Sequence, residues 1–312
     1  MLYDDKKVKE LIESITNLKV NKIVPIGHHE LNRHYVYVAY LKDAQPIVFK
    51  IFCVKNRINR EIASLSLLKD SNVKTPKFFK NGVLDDGNEW MIFEYIQGIS
   101  LDCVINELSE FDLKNLFFQI GEELSKIHVA KKFDFYGNWD INGNSINNIK
   151  SYFEYFIRSV EMQICELAFQ DFEDKEFLLD VADKIRQNYS LIKPIDESRL
   201  CHNDFDGRNI LVLCQNEKWM VNGIVDFEQS FPGNKEMDIA RLYFRYFLDN
   251  VELEKSFFEG YNKYISIDEG FFKRLDYYLL RIGFGICSWT YNVAPEYYKQ
   301  GKELIRKVIN KF

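Results

Sequence analysis

Strand signals fill the first hundred residues of this 312-residue chain and helical periods fill most of the rest, so the fold has to join a β-rich part to a helical one. Residues 35–40 and 47–52 are rich in β-branched and aromatic side chains and flank a turn at 42–46, which predicts a hairpin. Ahead of it, residues 3–18 put Val8, Leu11, Ile12 and Ile15 on one helical face. Ile62, Leu65 and Leu68 recur every three positions and predict a second helix over 59–68, and 90–96 is strand-like again before Gly98. Beyond Gly98 the helical spacing over 112–130, 146–169, 174–192, 252–264 and 270–290 is interrupted by a β-like patch at 210–226. No flexible linker marks the change. The pattern predicts an α+β chain of two lobes, residues 1–97 and 98–312, with a short hinge and a cleft between them.

Composition removes several classes of function. With 46% hydrophobic and 28% charged residues the chain is globular, and no run of ~18 uninterrupted apolar residues suggests a membrane span. The first 15 residues carry acids and lysines where a secretory signal needs an apolar run. Six cysteines stand far apart without zinc-ligand spacing, which fits reduced thiols and predicts a cytoplasmic protein. A net charge of −6 lacks the electrostatic footprint of a nucleic-acid binder and suits a cationic partner.

The chemistry concentrates in residues 201–228. There His202-x-Asp204-x4-Asn209 is followed by the apolar run Ile210-Leu211-Val212 and then by Ile224-Val225-Asp226. Phosphoryl transfer needs a carboxylate to orient and accept the proton of a hydroxyl, and oxygen ligands to hold Mg²⁺ against a triphosphate. Asp204, Asn209 and Asp226 supply that set, and the apolar flanks predict a small hairpin that fixes both metal ligands. Taken alone, Asp204, Asp206 and Asn209 also read as turn formers. Lys50 lies inside an apolar strand and Glu61 follows on the predicted helix as its charge partner. In isolation Lys50 reads equally as an edge-strand lysine and Glu61 as a solvent-facing acid.

The order of Lys50, Glu61, Phe93-Glu94-Tyr95-Ile96, His202-x-Asp204-x4-Asn209 and Asp226 resembles the bilobal protein-kinase-like fold. More narrowly, from about Ile23 to Leu242 it resembles the aminoglycoside phosphotransferase and choline kinase superfamily. Gly27 to Asn32 with Tyr35 is similar to that family's reduced nucleotide loop, Leu124 with Ile127-His128 to its Leu-x-x-Leu-His helix end, and Asp238-Ile239-Ala240 to its Asp-Leu-Ala. The resemblance implies Asp204 as the base or hydroxyl-orienting residue and Asn209 and Asp226 as Mg²⁺ ligands. It also implies Lys50, held by Glu61, on the phosphates of ATP or GTP. Gly27 and Asn32 would cover the nucleotide, and Glu94 and Ile96 would offer a backbone carbonyl and N–H to the purine, with Phe93 behind it. There is no G-x-G-x-x-G and no A-P-E, and too few residues separate Asp226 from Asp238 for a long activation segment, so a peptide acceptor is not expected. Glu228 stands where protein kinases have Gly, and Asp206 where this family has a small or basic residue.

The acceptor is expected on residues 146–192 and 270–298, where acids from Glu154 to Glu176 offer sites for amines and Trp289, Tyr291, Tyr297 and Tyr298 offer faces for a quaternary ammonium. The same acids read equally as a solvated helix face. The implied activity is transfer of the γ-phosphate of ATP or GTP to a hydroxyl of an aminoglycoside or related amino sugar. Kinases of choline, ethanolamine or another amino alcohol, and a silent nucleotide-binding pseudokinase, are the alternatives. Three histidines at 28, 29 and 34 invite a metal-cluster reading, although their place in the chain suits phosphate cover better.

Overall fold

The computed structural model describes residues 3–27, 29 and 32–312, and the chain divides into two compact units. The first takes residues up to 107 together with 139–144 and 207–230; the second takes 108–138, 145–206 and 231–312.

The first unit opens with α1 (Asp5–Thr16), capped by the Asp4 carboxylate on Lys7 N–H at 2.8 Å and ended by Asn17 in the left-handed region. A five-stranded antiparallel sheet follows, built from β1 (Val20–Ile26), β2 (His34–Leu41), β3 (Ile47–Phe52), β4 (Phe78–Val83) and β5 (Glu89–Glu94) in the order β1-β2-β3-β5-β4. β3 is central and buried at all six positions, so Lys50 has no edge from which to reach water. Val8 and Ile12 of α1 pack with Tyr35, Tyr37, Phe49, Ile51 and Trp90 in one core. Helix α2 (Arg57–Leu68) buries Ile58, Ile62, Leu65 and Leu68 and, on the same flank, Glu61. After β6 (Ile99–Ser100) and the single turn α3 (Leu101–Val104), this unit is completed by the distant β9 (Ile210–Gln215) and β10 (Lys218–Ile224). These two form the expected hairpin. Asn216 and Glu217, both at positive φ, make the two-residue turn that matches strand twist, and Ile210 pairs with Ile224.

In the second unit α4 (Glu110–Val129), α5 (Tyr152–Ala168), α6 (Lys175–Gln187), α7 (Glu236–Leu242), α8 (Val251–Tyr261), α9 (Glu269–Thr290) and α10 (Pro295–Val308) surround a short sheet. That sheet is β11 (Phe231–Gly233), β8 (Ser198–Cys201) and β7 (Lys132–Phe133). The α4–α8 crossing is close because Gly121 and Gly260 face the opposite backbone, where an added Cβ would strike Phe257 O and Phe118 O. Among the described residues no helix is long and apolar enough to cross a membrane.

Candidate active site

In the first unit the buried lysine gathers three carboxylates. Lys50 Nζ lies 2.8 Å from Glu61 Oε2, 2.7 Å from Asp226 Oδ1 and 3.0 Å from Glu228 Oε2. Lys50 is 3% exposed and Glu61 1%, so neither charge is solvated and each needs its partners. Burial alone would depress the Lys50 ammonium; Asp226, Glu61 and Glu228 outweigh it and hold its pKa well above the ordinary value. Three acids cannot share one cation equally. Burial, helped by Asp226 and Glu228, pushes Glu61 up to about 7 despite Lys50, while Glu228 is held well below the carboxylate range against its own burial by Lys50 and His34.

Local structure explains the convergence. Asp226 follows β10 with φ 67, a left-handed conformation that a non-glycine residue adopts at a cost, and it opens a 3₁₀ turn over Phe227–Gln229. That turn brings Glu228 back to Lys50. The hydroxyls of Ser64 on α2 and Ser230 meet at 2.5 Å and tie the turn's end to the helix that carries Glu61. Asn209 is buried at the start of β9, and its carbonyl accepts Val225 N–H at 3.0 Å, so strand pairing sets it beside the approach to Asp226. The Asp226 carboxylate and the Asn209 amide are hard oxygen donors of the kind that could hold Mg²⁺, and Asp226 belongs to a cluster with more negative charge than its lysine neutralises.

The other residues expected at the nucleotide lie in the same unit. Phe93 is buried on β5, Glu94 N–H donates to Lys77 O at 2.9 Å, and Ile96 fills the space a side chain at Gly223 would need, 2.9 Å from such a Cβ. Gly27 has φ +80 with open space around it. Asn32, at φ 50, accepts from Tyr35 Oη at 2.7 Å. His28, Glu30 and Leu31 lie outside the described residues, and with them most of the loop between Gly27 and Asn32. His29 and His34 are engaged separately. The His29 ring contacts Val36 O at 3.0 Å and Val36 N at 3.1 Å, while His34 Nδ1 lies 3.3 Å from Glu228.

In the second unit the turn that carries Asp204 hangs from one buried carboxylate. Asp238 on α7 accepts His202 N–H at 2.8 Å and Asn203 N–H at 2.7 Å, and His128 Nε2 is 3.2 Å from the same carboxylate. His128 Nδ1 lies 2.8 Å from the Tyr261 hydroxyl on α8. Burial pushes the His128 pKa down, and Asp238 stays below the usual carboxylate range despite its burial because His128 and the turn's N–H groups bond it. Both directions agree with a neutral imidazole that donates from Nε2 to an ionised Asp238 and accepts from Tyr261 at Nδ1. Asn203 adopts φ 60, and Asp204 N–H donates to His202 Nδ1 at 3.3 Å, so the chain reverses just before Asp204. Asp206 is buried rather than exposed.

Several participants carried no role in the sequence. Glu228 is visible as a departure from the protein-kinase pattern that choline kinase-like sequences share, without a role, and Tyr261 carries no motif. The acids expected to receive an amine are in part already neutralised: Glu154 by Arg158 at 2.5 Å, Glu161 by Arg186 at 2.6 Å and Asp174 by Lys302 at 2.7 Å.

A sequence model of the phosphotransferase enzyme family matches residues 23–271. No curated protein matches the chain in sequence. Among solved structures, aminoglycoside phosphotransferase APH(4)-Ia superposes with a TM-score of 0.72 at 14% identity, over 97% of this chain and 99% of that one. A thermostable mutant of APH(4)-Ia in ternary complex with AMP-PNP and hygromycin B gives 0.71 at 15% identity, over 96% of this chain and 98% of that one. The GDP and kanamycin complex of APH(2″)-IIIa gives 0.67 at 16% identity, over 98% and 99%. These likenesses establish a kinase-like fold with a strand-rich N-terminal and a helical C-terminal region. With the family match extending over most of its length, the chain belongs to the phosphotransferase enzyme family and is a phosphotransferase with an alcohol group as acceptor.

Proposed function

We propose that this chain is a small-molecule kinase that moves the γ-phosphate of ATP or GTP to a hydroxyl of an amino-bearing acceptor, with aminoglycosides and related amino sugars as the first class. The observation that carries the reading is the buried Lys50, bonded at once to Glu61 and Asp226. An ammonium kept charged in an apolar strand has a use where phosphates arrive. Residues 1–97 carry the nucleotide and 98–312 the acceptor, with Gly27 and Asn32 over the phosphates and Phe93, Glu94 and Ile96 at the purine. Asn209 and Asp226 would hold Mg²⁺, which when bound supplies neutralisation of the triphosphate.

Asp204 accepts the acceptor's hydroxyl proton and aims its oxygen. Asp238, through His202 and Asn203, keeps that carboxylate in register. Little covalent work falls to the protein, so the rate rests on alignment and on charge already in place. The nucleotides bound in the solved relatives, AMP-PNP in one and GDP in another, support either donor. Their antibiotics support an aminoglycoside acceptor. A second reading, an amino alcohol with fewer positive charges, is favoured by the acids that already hold intramolecular partners.

ADP and GDP release with Mg²⁺ across aminoglycosides, choline, ethanolamine, homoserine and amino sugars tests both readings. Asp204→Ala is expected to lower turnover by roughly 10²–10⁴ with nucleotide binding unchanged. Unaltered turnover in Asp204→Ala would remove the assigned base. Silence across the panel with intact nucleotide binding would point to a pseudokinase.

A further inference from the structure

Two arginines in the second unit lie within electrostatic reach of each other and form no ion pair with an acid among the described residues. Arg241 sits on α7, one turn beyond Asp238, and its Nε is buried with no hydrogen-bond partner. Arg281 projects from α9 toward α5, where its Nη2 lies 3.5 Å from the Ser159 hydroxyl. Among the described residues no carboxylate stands at ion-pair distance from either arginine, whereas Arg158, Arg186, Arg199 and Arg274 all have one. Burial lowers the Arg281 pKa, Tyr152, Tyr155 and Tyr277 oppose this and Arg241 adds to it. Tyr152, Tyr155 and Ser159 recur at helical spacing on α5, so a polar stripe of one helix meets Arg281.

The pair is tied to the catalytic turn by two separate routes. Arg241 shares α7 with Asp238, which bonds His202 and Asn203. Tyr155, within electrostatic reach of Arg281, packs on Phe231 at 5.4 Å between ring centroids, and Phe231 is the cross-strand partner of Cys201. Asp204 follows three residues after Cys201. The arginines also lie in or beside the segments where the acceptor is expected.

We infer that Arg241 and Arg281, with the Ser159 hydroxyl, form an anion-binding subsite on the acceptor side of Asp204, so that the acceptor carries a carboxylate or a phosphate besides its hydroxyl. This rests on the role of Asp204 proposed above. Guanidinium groups are charged at any physiological pH and offer forked donors that match either anion. Holding two of them together without a counter-charge is unfavourable in the free protein and is relieved when an anion binds. The subsite narrows the amino-bearing acceptors to those that also carry an acid: an amino-acid alcohol, an amino-sugar acid or an amino-sugar phosphate. A polycationic antibiotic lacking an acid would leave both guanidiniums unpaired.

Calorimetric titration with inorganic phosphate and with acetate, at fixed ionic strength and with the donor site filled by a non-hydrolysable ATP analogue and Mg²⁺, reads the subsite without needing the acceptor. Binding to the wild type is expected to weaken about tenfold or more in Arg281→Met and in Arg241→Gln, the loss of one charge-assisted hydrogen bond, and to return in part in Arg281→Lys. Arg241→Gln carries the test where Arg281→Met does not fold. Phosphate and acetate binding unchanged in both variants, or absent from the wild type, overturns the subsite. Turnover then separates the two anions: homoserine against its reduced diol for a carboxylate, glucosamine 6-phosphate against glucosamine for a phosphate. The acidic member of a pair is expected to show the lower KM, and the difference is expected to shrink in Arg281→Met. Equal KM values within both pairs would also overturn the proposal. Loss of turnover in Asp204→Ala with phosphate binding indifferent to both arginines defeats the subsite alone. Turnover that survives Asp204→Ala defeats the reading of Asp204, while the titration still judges the arginines.

Discussion

Two charge clusters, one buried around Lys50 and one half-buried around Arg281, are unbalanced in opposite directions. Around Lys50 three carboxylates share one ammonium. Around Arg281 two guanidiniums share no carboxylate. A third cluster, Asp238 with His128, Tyr261 and the N–H groups of His202 and Asn203, is fully paired. Structural clusters tend toward the satisfaction seen at Asp238, where every partner of the carboxylate is a hydrogen-bond donor, because a buried charge without partners costs stability. On the readings proposed above, each surplus is completed by a ligand: a cation at the first cluster, an anion at the second.

The largest expected effect comes from deepening the imbalance at Lys50. In Lys50→Met, Glu61, Asp226 and Glu228 lose their common cation, and urea unfolding is expected to report a loss of about 3–5 kcal/mol, the range for an orphaned partner of a buried pair. Added Mg²⁺ is expected to restore part of it. A loss indifferent to Mg²⁺ would mean the acids pair only with the lysine. Asp238→Asn, at the balanced cluster, is expected to cost less, about 2–3 kcal/mol for weakened hydrogen bonds to a charged group. Neither Mg²⁺ nor phosphate is expected to recover it, and turnover is expected to fall with the KM for nucleotide unchanged. Recovery by either ion would blur the distinction between filled and waiting clusters.

The pH dependence sharpens the same contrast. Glu61 has its folded pKa raised to about 7 from an ordinary 4.5, so between these values the folded state binds more protons and stability falls as pH rises. Glu228 is shifted the other way; its contribution grows as pH rises through the ordinary carboxylate range and is nearly complete by about pH 5.5. From about pH 5.5 to 7 only Glu61 of the two changes stability with pH. Stability measured by urea across that window is expected to decline in the wild type and to decline less in Glu61→Gln. Equal slopes would place the surplus proton elsewhere.

How much of this was legible in the sequence follows the same physics. Lys50 announced itself because an ammonium inside the apolar run 47–52 has no bland justification once β3 is central. Asp204, Asn209 and Asp226 were visible through their spacing, and the hairpin between the last two through its apolar flanks. Glu228 was visible as a residue but without a role, since its return to Lys50 depends on the left-handed Asp226 and the 3₁₀ turn after it. Among strands, β4 gave no signal because Phe78–Val83 is largely exposed and does not alternate. Helix α10 was missed for a related reason: it buries only Gly301, Leu304, Ile305 and Val308, a stripe that begins only at its middle. Arg241 and Arg281 were hidden by the opposite problem. Each interrupts an apolar helical run, and periodicity does not say whether an acid waits on the facing helix.

That last question defines the smallest effect. If Arg281 paired with an unseen acid, Arg281→Met would destabilise; with Arg241 acting on it and no carboxylate at ion-pair distance among the described residues, the variant is expected to be as stable as the wild type or more so, by up to ~1 kcal/mol, the scale of charge effects at partly exposed sites. Thermal unfolding in low salt is the sensitive measurement, because screening at high salt removes the repulsion and should bring the two proteins together. Inorganic phosphate is expected to invert their order, raising the Tm of the wild type more than that of Arg281→Met, since only the wild type presents both guanidiniums. A variant that is less stable in low salt and responds to phosphate as the wild type does would make Arg281 an ordinary structural charge. The imbalance at Lys50 would then have no counterpart in the second unit.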